Sequence, residues 1–420
     1  MIDFELPSQI AEAQRKMREM AVTHMRPVAR EYDEREHEKP WDYINMIWED
    51  VKAEVADQLA ALEQTEEERA KAKKRGLERA GGQPMIMSAV LAEERSWGDA
   101  GLNLCNPGPR LGGAAINAVG TPDQKRRFFK RFTEGSPKWG AMAITEANAG
   151  SDTAAITCTA IRDGDSWVLN GEKIFVTSGK MACEETDGFV VVWATIDKSA
   201  GRAGIKSFVV EKGTPGMTVT KLEHKLGIRA SDTATVVFED CRIPLDNILG
   251  SPEVQAKGST KGFKGVMATF DATRPNIAAG AIGIGRAALE FVKDKLSEQG
   301  IEVRYGISPY RLSAIERDIH EMEANLKAAR LLTWRACWLL DRRERNSLEA
   351  SMAKAKAGLA VTRVCQKAVE LMGPLGYSRE YLLEKWMRDC KINDIFEGTG
   401  QINMLIVARN ILGFGRDKLK

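Results

Sequence analysis

Apolar residues recur with helical spacing over the first third of the chain. In the segment from Ile10 to Val28 they return at helical intervals, which predicts an amphipathic helix. In residues 64–82 acids and bases instead alternate and no large apolar residue recurs, and this pattern predicts a solvent-exposed helix or a mobile excursion. Thr121, followed by a proline, is typical of a helix N-cap. We therefore expect an N-terminal helical domain over residues 1–137.

Near Lys138 the repeat of apolar residues changes from about 3.6 residues, which is typical of helices, to about 2 residues, which is typical of strands. Short runs rich in β-branched and aromatic residues follow, such as WVLNGEKIFVTSG and GFVVVWATI, and turn pairs such as Asn170-Gly171 separate them. Short strands at this spacing predict an antiparallel β-barrel or sandwich domain over residues 138–250.

Helical spacing returns from Gly262 onward in four long segments with short connections. Segments of this length and spacing predict an up-and-down four-helix bundle in a C-terminal domain over residues 251–420. The expected fold class is therefore α+β. It consists of an α-helical domain, a β domain and a helical bundle in that order.

Composition places the chain among soluble globular proteins. Its 420 residues exceed one typical hydrophobic core, and 43% hydrophobic with 29% charged residues is ordinary for this class. A net charge of +2 gives no reason to expect nucleic acid or an anionic membrane surface as a partner. No apolar run reaches the roughly 18 residues that span a bilayer, and the N-terminus lacks the apolar stretch of a secretory signal.

Cysteine and histidine usage favours neither a disulfide framework nor a metal centre. The seven cysteines are scattered, their number is odd, and no two of them form a CxxC pair. This pattern predicts reduced core thiols and a cytoplasmic protein. The histidines, His24, His37, His224 and His320, show no metal-ligand spacing, so we expect no metal site.

The candidate chemistry lies in the octamer IFEGTGQI, which spans residues 395–402. Glu397 stands in a turn between two helical runs, and Gly398 and Gly400 allow that turn to bend sharply. A carboxylate on a short bent loop suits a general base that removes a carbon-bound proton. The octamer alone is equally compatible with a surface acid between a helix C-cap and an N-cap.

Several motifs in consistent order resemble the acyl-CoA dehydrogenase family, over about two thirds of the chain. They are AITEANAGSDTAAI, WVLNGEKIFVTSG, HKLGIRASDTATVVFEDCRIP, FDATRPNIAAGAIG and RDCKINDIFEGTGQI. The resemblance implies FAD, an acyl-CoA substrate and an electron-transfer flavoprotein as acceptor. It makes Glu397 the base for the α-proton, with its pKa raised by desolvation, while hydride leaves the β-carbon for the flavin. Some relatives carry the base at the position of Thr273, which here has no carboxylate.

Further roles follow from the resemblance one residue at a time. Phe175 stands where the family often has Trp, and Ala147 where it usually has Pro. The backbone N–H of Glu397 and a flavin hydroxyl are implied as donors to the thioester carbonyl. The implied flavin contacts are Thr145, Phe175, Thr177, Ser178, Thr399 and Gln401, and the implied substrate contacts are Ser151, Phe270, Asp271 and Arg274.

Two elements that family members donate across a dimer to the neighbour's FAD are altered. The RxxFG motif reads EVRYG, with Glu302 at the Arg position, and the QxxGG motif reads ELMGP, with Glu370 and Pro374. Acids near a pyrophosphate repel it. We therefore expect a tetramer of two copies each of this chain and a paralogue, with FAD at half the sites. A homotetramer in which Arg304 takes over the phosphate contact is the alternative.

The leading functional hypothesis is a catalytic acyl-CoA dehydrogenase subunit. An acyl-CoA oxidase or flavin monooxygenase would keep the flavin, although a monooxygenase has no need of Glu397 as base. A non-catalytic scaffold subunit is a third hypothesis from another class. Straight-chain, branched and polycyclic acyl groups all remain open at this point.

Overall fold

A computed structural model describes residues 5–254 and 261–414 of the chain. Within these residues, eight α-helices form the N-terminal region. Thr121 caps α8 as expected, because its hydroxyl accepts from the Gln124 N–H at 3.2 Å and the Gln124 side chain accepts from the Thr121 N–H at 3.0 Å. The helices are α1 (Ser8–Met20), α2 (Ala29–Glu34), α3 (Trp41–Glu63), α4 (Glu66–Arg79), α5 (Pro84–Gly98), α6 (Ala100–Leu104), α7 (Arg110–Val119) and α8 (Pro122–Phe129).

The charged segment contains α4, whose described side chains are solvent-exposed except for the half-buried Leu77. Thr65 and Glu68 form a reciprocal capping box at its start, with the Thr65 N–H donating to Glu68 Oε2 at 2.8 Å. The chain returns to the core at Ala80, which is buried. Of the two predicted forms, the structure shows the solvent-exposed helix.

The described part of the middle region contains eight strands in one sheet. The strand order is β6-β7-β3-β2-β4-β5-β8, and β1 pairs with β4. Most neighbours are antiparallel as expected, but β1 and β2 run parallel to β4 because long connections carry the chain back alongside them. The strands are β1 (Gly140–Ala143), β2 (Thr159–Asp163), β3 (Ser166–Thr177), β4 (Phe189–Thr195), β5 (Ile205–Glu211), β6 (Met217–Leu222), β7 (Thr233–Pro244) and β8 (Ile248–Leu249).

Three long helices and three shorter ones form the described C-terminal region. The fourth predicted long helix is shorter than expected, because α13 ends at Cys390 and a 3-10 turn over Lys391–Asp394 follows it. No helix within residues 5–254 and 261–414 combines the length and apolar character needed to cross a bilayer. The helices are α9 (Lys261–Glu298), α10 (Ala314–Asp341), α11 (Ser347–Met372), α12 (Pro374–Tyr377), α13 (Leu383–Cys390) and α14 (Gly400–Leu412).

A buried ionic cluster joins the three regions. Lys385 of α13 donates to Asp99 Oδ2 and Asp389 Oδ2, each at 2.5 Å. Asp389 Oδ1 in turn accepts from the backbone N–H of Ile228, in the loop between β6 and β7, at 2.6 Å. The side chains of Lys385, Asp99 and Asp389 are all buried. The cluster therefore fixes the β6–β7 loop against the helices on both sides of it.

Candidate active site

Glu397 lies in the loop between the 3-10 turn and α14, with a positive φ of 57°. A non-glycine residue rarely adopts this conformation unless its surroundings hold it there. Here two side chains hold the next residue, because Lys354 Nζ and Asn403 Nδ2 donate to the Gly398 carbonyl at 2.7 and 2.8 Å. Asn403 Nδ2 also donates to the Thr399 carbonyl at 3.0 Å. Side chains of α11 and α14 therefore hold the turn that presents Glu397 in place.

The Glu397 carboxylate is partly shielded from solvent and contacts α9. Thr273 Oγ1 donates to Glu397 Oε2 at 3.1 Å, which leaves Oε1 as the oxygen open to a reacting proton. Burial raises the pKa of Glu397 above its ordinary value, and the Thr273 hydrogen bond opposes that shift only in part. A carboxylate with a raised pKa is a stronger base than one in water.

Asp271 and Arg274, both predicted substrate contacts, support the Glu397 loop from α9. Arg274 is buried, and its Nη1 donates to Asp271 Oδ1 at 2.9 Å while its Nε donates to the Glu397 carbonyl at 3.4 Å. The Ser347 hydroxyl donates to Asp271 Oδ2 at 2.5 Å and so ties the pair to α11. These contacts position the loop. The side chain of Phe270 lies outside the described residues.

Lys354 is a site residue that the sequence analysis missed. Its side chain is buried in α11, and burial lowers its pKa to about 8, although Asp394 and Glu397 oppose this shift. The available signal was a lysine within the small-residue stripe SMAKAKAG, on the face of α11 that enters the bundle core. Without the loop geometry, however, this lysine could not be linked to Glu397.

The β domain brings four predicted flavin contacts together at the end of β3. The Ile174 N–H donates to the Thr145 carbonyl at 2.9 Å, so Thr145 lies beside the segment that carries Phe175, Thr177 and Ser178. Phe175 has a φ of 58° and is 58% exposed, which is unusual for an aromatic side chain. An exposed ring flanked by hydroxyl groups fits the flat, polar-edged ring system of FAD.

A buried ion pair shapes the loop after Thr145 and was also missed. Glu146 Oε1 accepts from Lys173 Nζ at 2.7 Å, and Glu146 Oε2 accepts from the Thr157 N–H at 2.6 Å. Because the hydrogen-bonding capacity of this carboxylate is well used, the loop is held in one conformation. Ser151, the remaining predicted substrate contact, lies in that loop and is exposed.

The start of α14 offers a second surface for the cofactor. The Thr399 hydroxyl accepts from the Ile402 N–H at 3.2 Å and caps the helix, and Gln401 is exposed in its first turn. The N–H groups and dipole of a helix N-terminus attract anions. This end of α14 therefore fits the FAD pyrophosphate, as the resemblance implies for Thr399 and Gln401.

A cavity of about 40 Å³ lies between α5, α6, α9 and the 3-10 turn that precedes the Glu397 loop. Phe396, the neighbour of Glu397, lines it together with Ile277 of α9 and Ile228 of the β6–β7 loop. Its walls are closely packed, since a Cβ added at Gly280 would lie 2.9 Å from Ser96 Oγ.

The elements expected to reach a partner's flavin are held within this chain. Glu302 Oε1 accepts from the Ser297 hydroxyl at 2.8 Å, and Glu370 pairs with Lys367 at 2.9 Å. Arg304 forms a bidentate salt bridge with the buried Glu316, in which Nε donates to Oε1 at 2.6 Å and Nη2 donates to Oε2 at 2.7 Å. Moving Arg304 away would deprive a buried carboxylate of its charged partner, which is costly.

Comparisons with known proteins agree with the geometry. Residues 141–241 match the acyl-CoA dehydrogenase middle domain and residues 260–412 match the acyl-CoA dehydrogenase C-terminal domain. The mitochondrial short-chain specific acyl-CoA dehydrogenase of Bos taurus is 41% identical over 71% of this chain and 68% of that protein. A short-chain specific acyl-CoA dehydrogenase of Clostridium acetobutylicum is 32% identical over 98% of this chain and all of that protein. The structure of butyryl-CoA dehydrogenase from Megasphaera elsdenii has a TM-score of 0.80 at 31% identity, covering 98% of this chain and 100% of that chain.

Proposed function

Because the chain belongs to the acyl-CoA dehydrogenase family, whose members are FAD-dependent oxidoreductases, we propose that it dehydrogenates a short acyl-CoA thioester with Glu397 as the α-proton base. The observation that carries the proposal is the fixed loop that presents a carboxylate of raised pKa against α9. The short-chain specific relatives support a short acyl group.

The proposed reaction begins with the ionised Glu397. Thr273 holds Oε2 at 3.1 Å, so Oε1 takes the proton from the α-carbon. The negative charge then develops on the thioester oxygen, where the Glu397 backbone N–H stabilises it. Bound FAD supplies the hydride acceptor for the β-carbon. Thr145, Phe175, Thr177 and Ser178 orient the flavin ring, and Thr399 with Gln401 hold its phosphate side.

A substrate series tests this proposal. Butyryl-CoA, octanoyl-CoA and palmitoyl-CoA are offered to the FAD-loaded protein with an artificial electron acceptor, and product formation is measured. We expect butyryl-CoA to be the best substrate, because relatives that are 41% and 32% identical to this chain are short-chain specific. Failure of fully FAD-loaded protein to oxidise any of the three would contradict the proposed activity.

The proposed electron acceptor is an electron-transfer flavoprotein. An acyl-CoA oxidase is the nearest alternative, and it differs in passing electrons directly to oxygen. Reoxidation of the substrate-reduced protein is compared in air and with an electron-transfer flavoprotein under nitrogen. Rapid reoxidation in air would favour the oxidase. The seven buried, unpaired thiols support a reducing compartment such as the cytoplasm.

We also propose that this chain works with a paralogous partner chain. The surface that family members donate to a neighbour's flavin carries Glu302 and Glu370 in this chain, at the positions where the family has Arg and Gln. Arg304 cannot easily replace that Arg because it is paired with Glu316. A homo-oligomer would therefore place acids near each flavin pyrophosphate, where like charges repel. A paralogue that keeps the Arg and Gln would complete the flavin site on this chain. The result would be a tetramer of two chains of each kind with two flavins.

Expressed alone, this chain is expected to hold well under one FAD per protomer. The combined substitution Glu302→Arg, Glu370→Gln and Pro374→Gly should raise that occupancy, because it removes both acids and restores a backbone donor. FAD per protomer is measured by absorbance after gel filtration. A matched control is Glu298→Arg, another exposed acid near the end of α9. Full FAD occupancy in the unaltered homo-oligomer would refute the partner proposal.

A further inference from the structure

Two of the four histidines, His37 and His224, lie close to Glu36 where the N-terminal helices face the β6–β7 loop. His224 Nδ1 lies 2.9 Å from Glu36 Oε2, and the rings of His37 and His224 are 5.3 Å apart between centroids. One ligand atom from each of the three residues lies within 4.8 Å of the others. The expectation of no metal site rested on sequence spacing, which cannot detect this cluster because the fold brings distant residues together.

His37 is the anomalous member of the cluster. Both of its ring nitrogens are buried and have no hydrogen-bond partner. Buried polar atoms in proteins are nearly always hydrogen-bonded, so an imidazole with two unpaired nitrogens indicates a missing partner. The backbone around it is fixed, since His37 has a φ of 73° and its N–H donates to the Arg229 carbonyl at 3.3 Å. A bound cation would satisfy one of the two nitrogens.

We propose that Glu36, His37 and His224 bind a transition-metal dication of the Zn²⁺ class. Two histidines and one glutamate, with water in the fourth position, are an established ligand set for Zn²⁺. Ligand atoms around a tetrahedral Zn²⁺ are roughly 3.3 Å apart for bond lengths of about 2.0–2.1 Å. The Glu36 and His224 atoms are already close to this separation at 2.9 Å, and His37 completes the set by a small movement. Imidazole ligands favour Zn²⁺ over Mg²⁺ or Ca²⁺.

Neighbouring cations bear on the affinity of this site. Arg229 Nη2 lies 3.3 Å from Glu36 Oε2 and must move aside when the metal binds. Lys225 uses its backbone N–H to reach Glu36 Oε1 at 2.7 Å, while its ammonium group donates to the Ser231 carbonyl at 2.5 Å. The metal must therefore displace two contacts at Glu36 Oε2, the Arg229 guanidinium and the proton of the hydrogen bond with His224.

The metal would join the chain just after α2 to the β6–β7 loop. That loop carries Ile228, which lines the cavity beside the candidate base and is anchored to Asp389. A ligand that binds only the folded state stabilises it by mass action. Zn²⁺ is therefore expected to raise the melting temperature of the protein, and the inference does not depend on the proposed enzymatic activity.

Titration calorimetry with Zn²⁺ on the chelator-treated, FAD-loaded protein tests the proposal. We expect one Zn²⁺ per protomer, a higher melting temperature with Zn²⁺ and no comparable effect of Mg²⁺. His37→Ala and His224→Ala should each weaken Zn²⁺ binding at least ~10-fold, because each removes one of three protein ligands. His224 is 83% exposed, so its replacement leaves the fold intact and remains informative if His37→Ala fails to fold.

The control is His24→Ala, which removes an exposed histidine that does not belong to the cluster. It should bind Zn²⁺ like the unaltered protein. The seven cysteines are buried and offer no competing surface thiol. Absence of Zn²⁺ binding, or equal binding by the His224→Ala and His24→Ala proteins, would overturn the proposal.

Discussion

Replacement of Glu397 by glutamine is expected to lower acyl-CoA turnover at least ~100-fold, as removal of a general base commonly does. Glutamine preserves the shape of the side chain and can still meet Thr273, but it cannot accept the α-proton. The FAD content should equal that of the unaltered protein, because the predicted flavin contacts on β3 and α14 are untouched. Steady-state turnover of butyryl-CoA, with FAD per protomer measured in the same samples, provides the readout.

The matched control is Glu380→Gln, which makes the same change at an exposed acid near the start of α13. It should retain full turnover. The pH profile adds a second readout, because only ionised Glu397 can act as base. Burial raises its pKa, so turnover of the unaltered protein should fall as pH decreases through this raised value. Near-normal turnover by Glu397→Gln would exclude Glu397 as the base.

Replacement of Lys385 by methionine is expected to lower the free energy of unfolding by roughly 3–5 kcal/mol. Burial alone would lower the pKa of Lys385, but Asp389 and Asp99 outweigh it and raise the pKa, so the residue is a cation in the folded protein. The substitution leaves two buried carboxylates without their shared partner. Urea denaturation, followed by circular dichroism, measures the loss.

An exposed lysine in the 3-10 turn that follows α13 provides the comparison. Lys391 pairs with Asp394 at 3.3 Å, and its side chain is 47% exposed. Such surface pairs contribute at most about 1 kcal/mol, so Lys391→Met should change the unfolding free energy little. Equal effects of Lys385→Met and Lys391→Met would show that the buried cluster does not stabilise the junction of the three regions.

Local sequence signals were sufficient for much of the fold. The change of period near Lys138 marks the first strand, which begins at Gly140. The capping signal at Thr121 is confirmed. It could be predicted from the sequence because the cap involves only residues three positions apart. The glycines of the octamer IFEGTGQI predicted a bent loop at Glu397, and the structure shows that loop with a positive φ.

The features that the sequence did not reveal depend on distant residues. The parallel pairing of β1 with β4 follows from the path of a long connection, which no local pattern encodes. The helix α13 is shorter than predicted because the chain leaves it after Cys390 and forms the turn that leads to Glu397. Lys354, the Glu146–Lys173 pair and the histidine cluster are each defined by partners far away in the chain.

Single-turnover reduction of bound FAD by butyryl-CoA under anaerobic conditions tests the central claim most directly, because it separates the chemical step from product release. The unaltered protein and Glu397→Gln, matched for FAD content and saturated with substrate, are mixed rapidly and the loss of flavin absorbance is followed. The account predicts rapid bleaching in the unaltered protein and bleaching at least ~100-fold slower in the variant. Equal bleaching rates would contradict it.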